Sequence, residues 1–150
     1  MQTVKILNLT KSFGKIRAVD SLSLDIEKGK ITGLIGADGS GKTTLIRLIT
    51  GLLIPDSGEI TVLGLNPAAQ KEELSTKIGY MPQKFGLYED LSIEENLQLY
   101  ADLKKLPYEF DELLEFTKLM PFKTRLAGAL SGGMKQKLGL ACALMGSPDF

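Results

Sequence analysis

Gly36-Ala37-Asp38-Gly39-Ser40-Gly41-Lys42-Thr43 fits the pattern GxxxxGK[ST] at every fixed position. Its flanks carry the physics that such a loop needs. Upstream, ITGLIG (31–36) is a continuous apolar run, predicting a strand buried on both faces. Downstream, TTLIRLITGLL places Leu45, Leu48, Ile49 and Leu52 at i, i+3, i+4 and i+7, predicting a helix that ends near Pro55. The order is strand, glycine loop, helix, so backbone amides and the positive end of the helix dipole converge on one anion.

Each fixed residue has a chemical reason. The glycines allow backbone conformations and a close phosphate approach that a Cβ would block. Lys42 supplies a point charge to β- and γ-phosphates, and the Thr43 hydroxyl is placed to ligate Mg²⁺. The nucleotide-contacting set expected here is Gly36, Ala37, Asp38, Gly39, Ser40, Gly41, Lys42, Thr43 and Thr44. The loop alone does not separate kinases, GTPases, helicases and transport ATPases. No NKxD-type guanine-reading tetrapeptide occurs, which disfavours GTP.

Outward from the loop, residues 3–26 alternate apolar side chains (Val4, Ile6, Leu9; Leu22, Leu24, Ile26) around a glycine-containing turn, predicting antiparallel strands. EITVLG, after the turn Pro55-Asp56-Ser57-Gly58, predicts another strand, and Ile78 to Met81 a short extended run ahead of Pro82. Ser92 with Glu95 is a capping box that opens a helix through Ile93, Leu97, Tyr100 and Ala101. Further helical spacing runs through Phe110, Leu113 and Leu114, and through Leu138, Ala141, Cys142 and Met145.

Composition excludes several classes of chemistry. The 150 residues contain 18 Lys+Arg against 18 Asp+Glu, so no basic field favours nucleic acid. With no His, there are no Ser-His or Cys-His dyads and no imidazole acid–base catalysis. The single Cys142, in the apolar run LGLACALMG, reads as a small buried hydrophobe. No apolar stretch reaches the roughly 18 residues of a membrane span, and no signal-peptide core is present, which predicts a cytosolic chain.

A second motif, Leu130-Ser131-Gly132-Gly133-Met134-Lys135-Gln136, stands before the last apolar helical run. By its physics it is a helix N-cap followed by two bare glycine amides, more commonly a plain cap and turn than a second anion site. Together with the phosphate loop, this LSGGMKQ resembles the LSGGQ signature of the ATP-binding subunits of ABC transporters, and the resemblance runs over the whole chain. It is nearest to bacterial exporters of the multidrug and polysaccharide type. Met134 departs from the usual Gln, while Ser131, Gly132 and Gly133 carry over.

The resemblance implies an α/β fold, a P-loop NTPase of the ABC type with an N-terminal antiparallel β subdomain, a RecA-like core and a helical subdomain. The division implied is β subdomain and P-loop core over about 1–85 and helical subdomain over about 86–146. It implies ATP and Mg²⁺ as ligands, with Lys42 and Gln83 as catalytic groups and Thr43 and Gln83 at the metal. Phe13 would stack on adenine, and Ser131, Gly132 and Gly133 would complete the nucleotide site of an opposing subunit. Implied partners are integral membrane transporter subunits and a second ATP-binding subunit, identical or related, with the protein peripheral on the cytoplasmic face of the inner membrane.

Members of this family hydrolyse ATP with an apolar strand ending in Asp-Glu and a later His, and neither occurs here. Asp149 falls in the lead-in to that strand. The expectation is a chain lacking the C-terminal part of the core, which binds nucleotide weakly and hydrolyses it negligibly. A P-loop phosphotransferase, an ABC-type ATPase without a membrane partner, and a binding module that never turns over are the rival readings.

Overall fold

The computed structural model describes residues 2–83 and 86–150. They form two units, one running to Ile78 and including Phe150, the other Gly79–Asp149.

In the first unit, β1 (Gln2–Phe13) and β2 (Ile16–Glu27) form an antiparallel hairpin, turned at Gly14 with φ +58°. β3 (Ser57–Val62) pairs antiparallel with the other edge of β1, giving the order β2-β1-β3. One irregularity keeps the alternation useful. Ile6 faces Leu24 and Leu9 faces Leu22, so three steps on β1 oppose two on β2. The extra residue is taken up around Asn8, at φ +48°, whose N–H donates to Ser23 Oγ at 2.8 Å. This bulge returns Leu9 to the buried face beside Val4 and Ile6.

α1 (Lys42–Ile49) lays Leu45, Leu48 and Ile49 into the same core as Ile60, Val62 and Leu74, the last from the short α2 (Lys71–Ser75). Burying each such side chain contributes about 1.5–3 kcal/mol.

Two expectations are corrected in this unit. The helix after the loop stops at Ile49, not near Pro55. Gly51 takes φ +69°, and the Gly51 and Leu52 amides turn back to Leu48 O (3.2 Å) and Arg47 O (2.8 Å), a Schellman closure. A Cβ at Gly51 would lie 2.6 Å from Pro67 O, so glycine is required there. Leu52, the fourth member of the expected stripe, is therefore outside the helix and exposed. Secondly, ITGLIG (31–36) joins no sheet, and Ile31 and Ile35 are fully exposed. A strand buried on both faces needs paired neighbours, and no described strand pairs with this run.

The second unit is helical. α3 (Ile93–Lys104) opens on the expected capping box, with Ser92 Oγ accepting from Glu95 N–H at 3.2 Å and Glu95 Oε2 accepting from Ser92 N–H at 2.7 Å. The Ser92 amide holds the Glu95 carboxyl below its ordinary pKa. α4 (Asp111–Phe116) and α5 (Gly132–Leu144) close the unit around Ile93, Leu97, Leu114, Leu138, Ala141 and Cys142. Lys104 Nζ donates to Cys142 O (3.4 Å) and Met145 O (3.2 Å), placing a cation on the carbonyl end of α5. Cys142 is 2% exposed, and burial pushes its thiol up to about 12, so it keeps its proton at neutral pH. No helix among the described residues is long and apolar enough to cross a membrane.

Candidate nucleotide site

The loop ahead of α1 is closed by its own lysine. Lys42 Nζ donates to Gly36 O at 2.7 Å, to Ala37 O at 2.6 Å and to Ser40 Oγ at 3.4 Å. An ammonium has three protons, and each faces an acceptor of this loop. Ser40 N–H donates to Ala37 O at 3.2 Å, tightening the same turn. The result is a small ring of backbone with a positive charge at its centre.

Two glycines are required by different constraints. Gly41 caps α1 at φ +87°, and a Cβ there would lie 2.0 Å from the carbonyl oxygen of Ala18 on β2. The loop is thus seated directly on the hairpin. Gly39, at φ +79°, has open space where its Cβ would be, so only its backbone angle demands glycine.

α1 begins without a side-chain cap, and the first amide to find a helical carbonyl is that of Leu45, on Gly41 O at 2.9 Å. The amides of Lys42, Thr43 and Thr44 are left for another acceptor. Thr43 is exposed and its hydroxyl has no partner among the described residues. Asp38, exposed at the tip of the turn, has no ion-pair partner there either. Open amides, a central ammonium and a free hydroxyl fit a triphosphate with its Mg²⁺: Lys42 meets oxyanions and Thr43 offers a hard oxygen ligand. Among the described residues no group of three His, Cys, Asp or Glu side chains is placed to hold a metal by itself.

Phe13 ends β1, paired with Ile16 beside the turn of the hairpin whose Ala18 meets Gly41. Two residues of strand separate Ile16 from Ala18, about 7 Å. The Phe13 ring is 49% exposed, with Lys11 Nζ 5.8 Å from its centroid. A ring so open is available for stacking rather than committed to the core.

Gln83, Ser131, Gly132 and Gly133 belong to the second unit and are exposed. Ser131 is the N-cap of α5, with Oγ accepting from Met134 N–H at 3.3 Å. A Cβ on Gly132 or Gly133 would meet nothing within 4 Å, so nothing inside this chain requires glycine there. Bare amides over open space suit an anion supplied from outside. Met134, the departure from the signature pattern, is half-buried against the helical core, which accounts for an apolar residue at that place.

Sequence reasoning passed over Asn96, Glu89 and Lys135. Asn96 is fully buried on α3. An amide at i+3 from Ile93, on the apolar face, was the available signal. Glu89 and Lys135 meet at 2.7 Å across 46 positions, a pairing that periodicity does not reveal.

Residues 19–150 match the ABC transporter family model. Among curated relatives, a probable multidrug ABC transporter ATP-binding protein, YbhF of Escherichia coli (strain K12), is 59% identical over 136 residues, covering 87% of this chain and 24% of that protein. The bacitracin transport ATP-binding protein BcrA of Bacillus licheniformis is 38% identical over 149 residues, covering 98% of this chain and 49% of that one. The chain thus spans less than half the length of these relatives. Among solved structures, an ATP-binding subunit of an ABC transporter superposes with a TM-score of 0.84 at 28% identity, covering 97% of this chain and 63% of that one. The ADP conformation of MJ1267, an ATP-binding cassette of an ABC transporter, gives 0.82 at 31% identity, covering 99% and 66%.

Proposed function

Because this chain belongs to the ABC transporter family, with the P-loop ATPase fold of its ATP-binding subunits, we propose that it is the nucleotide-binding part of an exporter driven by ATP. The loop Gly36–Thr43 with Thr44 holds the triphosphate, and Lys42 exchanges its carbonyl acceptors for phosphate oxygens, which accept more strongly because they are charged. Phe13 stacks on the adenine. The Thr43 hydroxyl would offer a ligand to Mg²⁺, which would supply charge neutralisation at the phosphates. Ser131, Gly132 and Gly133 present their hydroxyl and amides to a nucleotide bound by a second ATP-binding subunit.

The observation that carries this reading is the ring around Lys42, joined to the uncapped amides of α1. A cation held among acceptors at the end of a helix without a side-chain cap supports a phosphate site. ATP binding then closes a head-to-tail pair, and membrane subunits read the closure through the Gln83 segment at the cytoplasmic face of the inner membrane. The likeness to a multidrug relative supports a small-molecule cargo.

Calorimetry of the full-length protein with Mg²⁺ and ATP tests the assignment. Lys42→Ala is expected to weaken binding by about tenfold to a hundredfold, the worth of a charged hydrogen bond to phosphate. Unchanged affinity in that variant would remove the loop from the site.

A further inference from the structure

The residues that follow the Gln83 segment are bonded on two sides within the second unit. On one side stands Asn96, whose Oδ1 accepts from Tyr88 N–H at 3.0 Å. Its Nδ2 faces the carbonyls of Tyr88 (3.0 Å), Leu91 (3.2 Å) and Ser92 (2.9 Å). On the other side runs the approach to the signature. Gly128 N–H donates to Glu89 O (2.9 Å), Ala127 N–H to Leu91 O (2.8 Å), and Ile93 N–H to Arg125 O (3.0 Å). Three residues after Gly128 comes Ser131.

This strap reaches α5 itself through one ion pair, Lys135 Nζ to Glu89 Oε1 at 2.7 Å. Lys135 sits in the opening turns of the helix, where the macrodipole disfavours a cation, and α5 has no acid in its first turn to offset it. The helix alone gives no reason for a lysine at this position. Glu89 gives one.

We infer that the Glu89–Lys135 pair fastens the stretch 88–92 to the first turn of α5, so that Ser131, Gly132 and Gly133 follow when that stretch is displaced. The inference rests on the assignment of those three residues to an opposing nucleotide, and it adds how the membrane side reaches them. Glu89 and Lys135 act as positioning residues and touch no nucleotide. A bond between two loops becomes a coupling only if breaking it at either end has the same effect, which a reciprocal exchange measures.

In the full-length protein, Glu89→Lys and Lys135→Glu are each expected to speed hydrogen exchange at the Gly128 and Met134 amides about two- to fivefold, the range of an exposed ion pair. Each is also expected to raise the KM for ATP by a similar factor with kcat held. The double variant Glu89→Lys/Lys135→Glu restores both quantities. Exchange that stays fast in the double variant overturns the inference, and so does restored exchange with an unrestored KM, since Lys135 would then act on the nucleotide directly. Failure of the unaltered protein to bind ATP would sink the nucleotide assignment alone, because the exchange measurement reads the strap without nucleotide.

Discussion

Asn96→Asp is expected to destabilise the helical unit by about 3–5 kcal/mol, the cost of an uncompensated buried charge. The amide touches four backbone groups, accepting from Tyr88 N–H and sharing its two protons among the Tyr88, Leu91 and Ser92 carbonyls. Aspartate keeps the acceptor and replaces the donor by an oxygen about 3 Å from three other oxygens. Ionised, it is repelled in a site with no exposed surface; protonated, it offers one donor where the amide offered two. Against a total stability of about 5–15 kcal/mol for a domain, this is a large fraction. Urea unfolding at neutral pH checks it, and a loss under 1 kcal/mol would show that segment 86–92 does not depend on this side chain. Burial raises the pKa of the introduced acid above its unfolded value. The charge penalty is therefore greatest above the folded pKa and shrinks as pH falls through it.

Gly41→Ala has the second largest expected effect, about 2–5 kcal/mol, from a left-handed backbone angle and an overpacked contact together. The added methyl would stand 2.0 Å from Ala18 O, a backbone atom near the start of β2 that cannot turn aside as a side chain would. Either the loop lifts from the hairpin or the hairpin bends. Lifting also draws the α1 amides away from the ring around Lys42, so nucleotide affinity falls with stability. Gly39→Ala is the control, because it shares the positive angle (φ +79° against φ +87°) but enters open space. Thermal melts of the two variants separate contact from angle; equal losses would mean that the approach to Ala18 has no energetic weight.

Local signals in the sequence were sufficient for the hairpin, the phosphate loop, the buried stripe Leu45, Leu48 and Ile49, the Ser92–Glu95 box and the Ser131 cap. Each is written within a few residues and needs no distant partner. The misses share one cause. The stripe through Leu52 continues helical spacing, yet the helix stops because Gly51 closes against Pro67, sixteen positions away. The run ITGLIG has strand chemistry, but strand formation depends on a neighbour that no local pattern can specify. Asn96, read locally, is only a polar residue on an apolar face, and its meaning lies in four backbone groups of another segment. The LSGGMKQ motif was legible only through its resemblance, since an N-cap followed by glycines is physically ambiguous. Nothing within this chain fills the space over Gly132 and Gly133, so the glycines there have no reason in its own packing.

The unpaired run 31–36 bears on how these 150 residues behave at the bench. Ile31 and Ile35 lie bare to water beside a row of main-chain donors and acceptors, a combination that recruits extended peptide from any source. Two bare isoleucines in an unpaired run are expected to make self-association rise with concentration, which light scattering checks, and Ile31→Lys is expected to lower it.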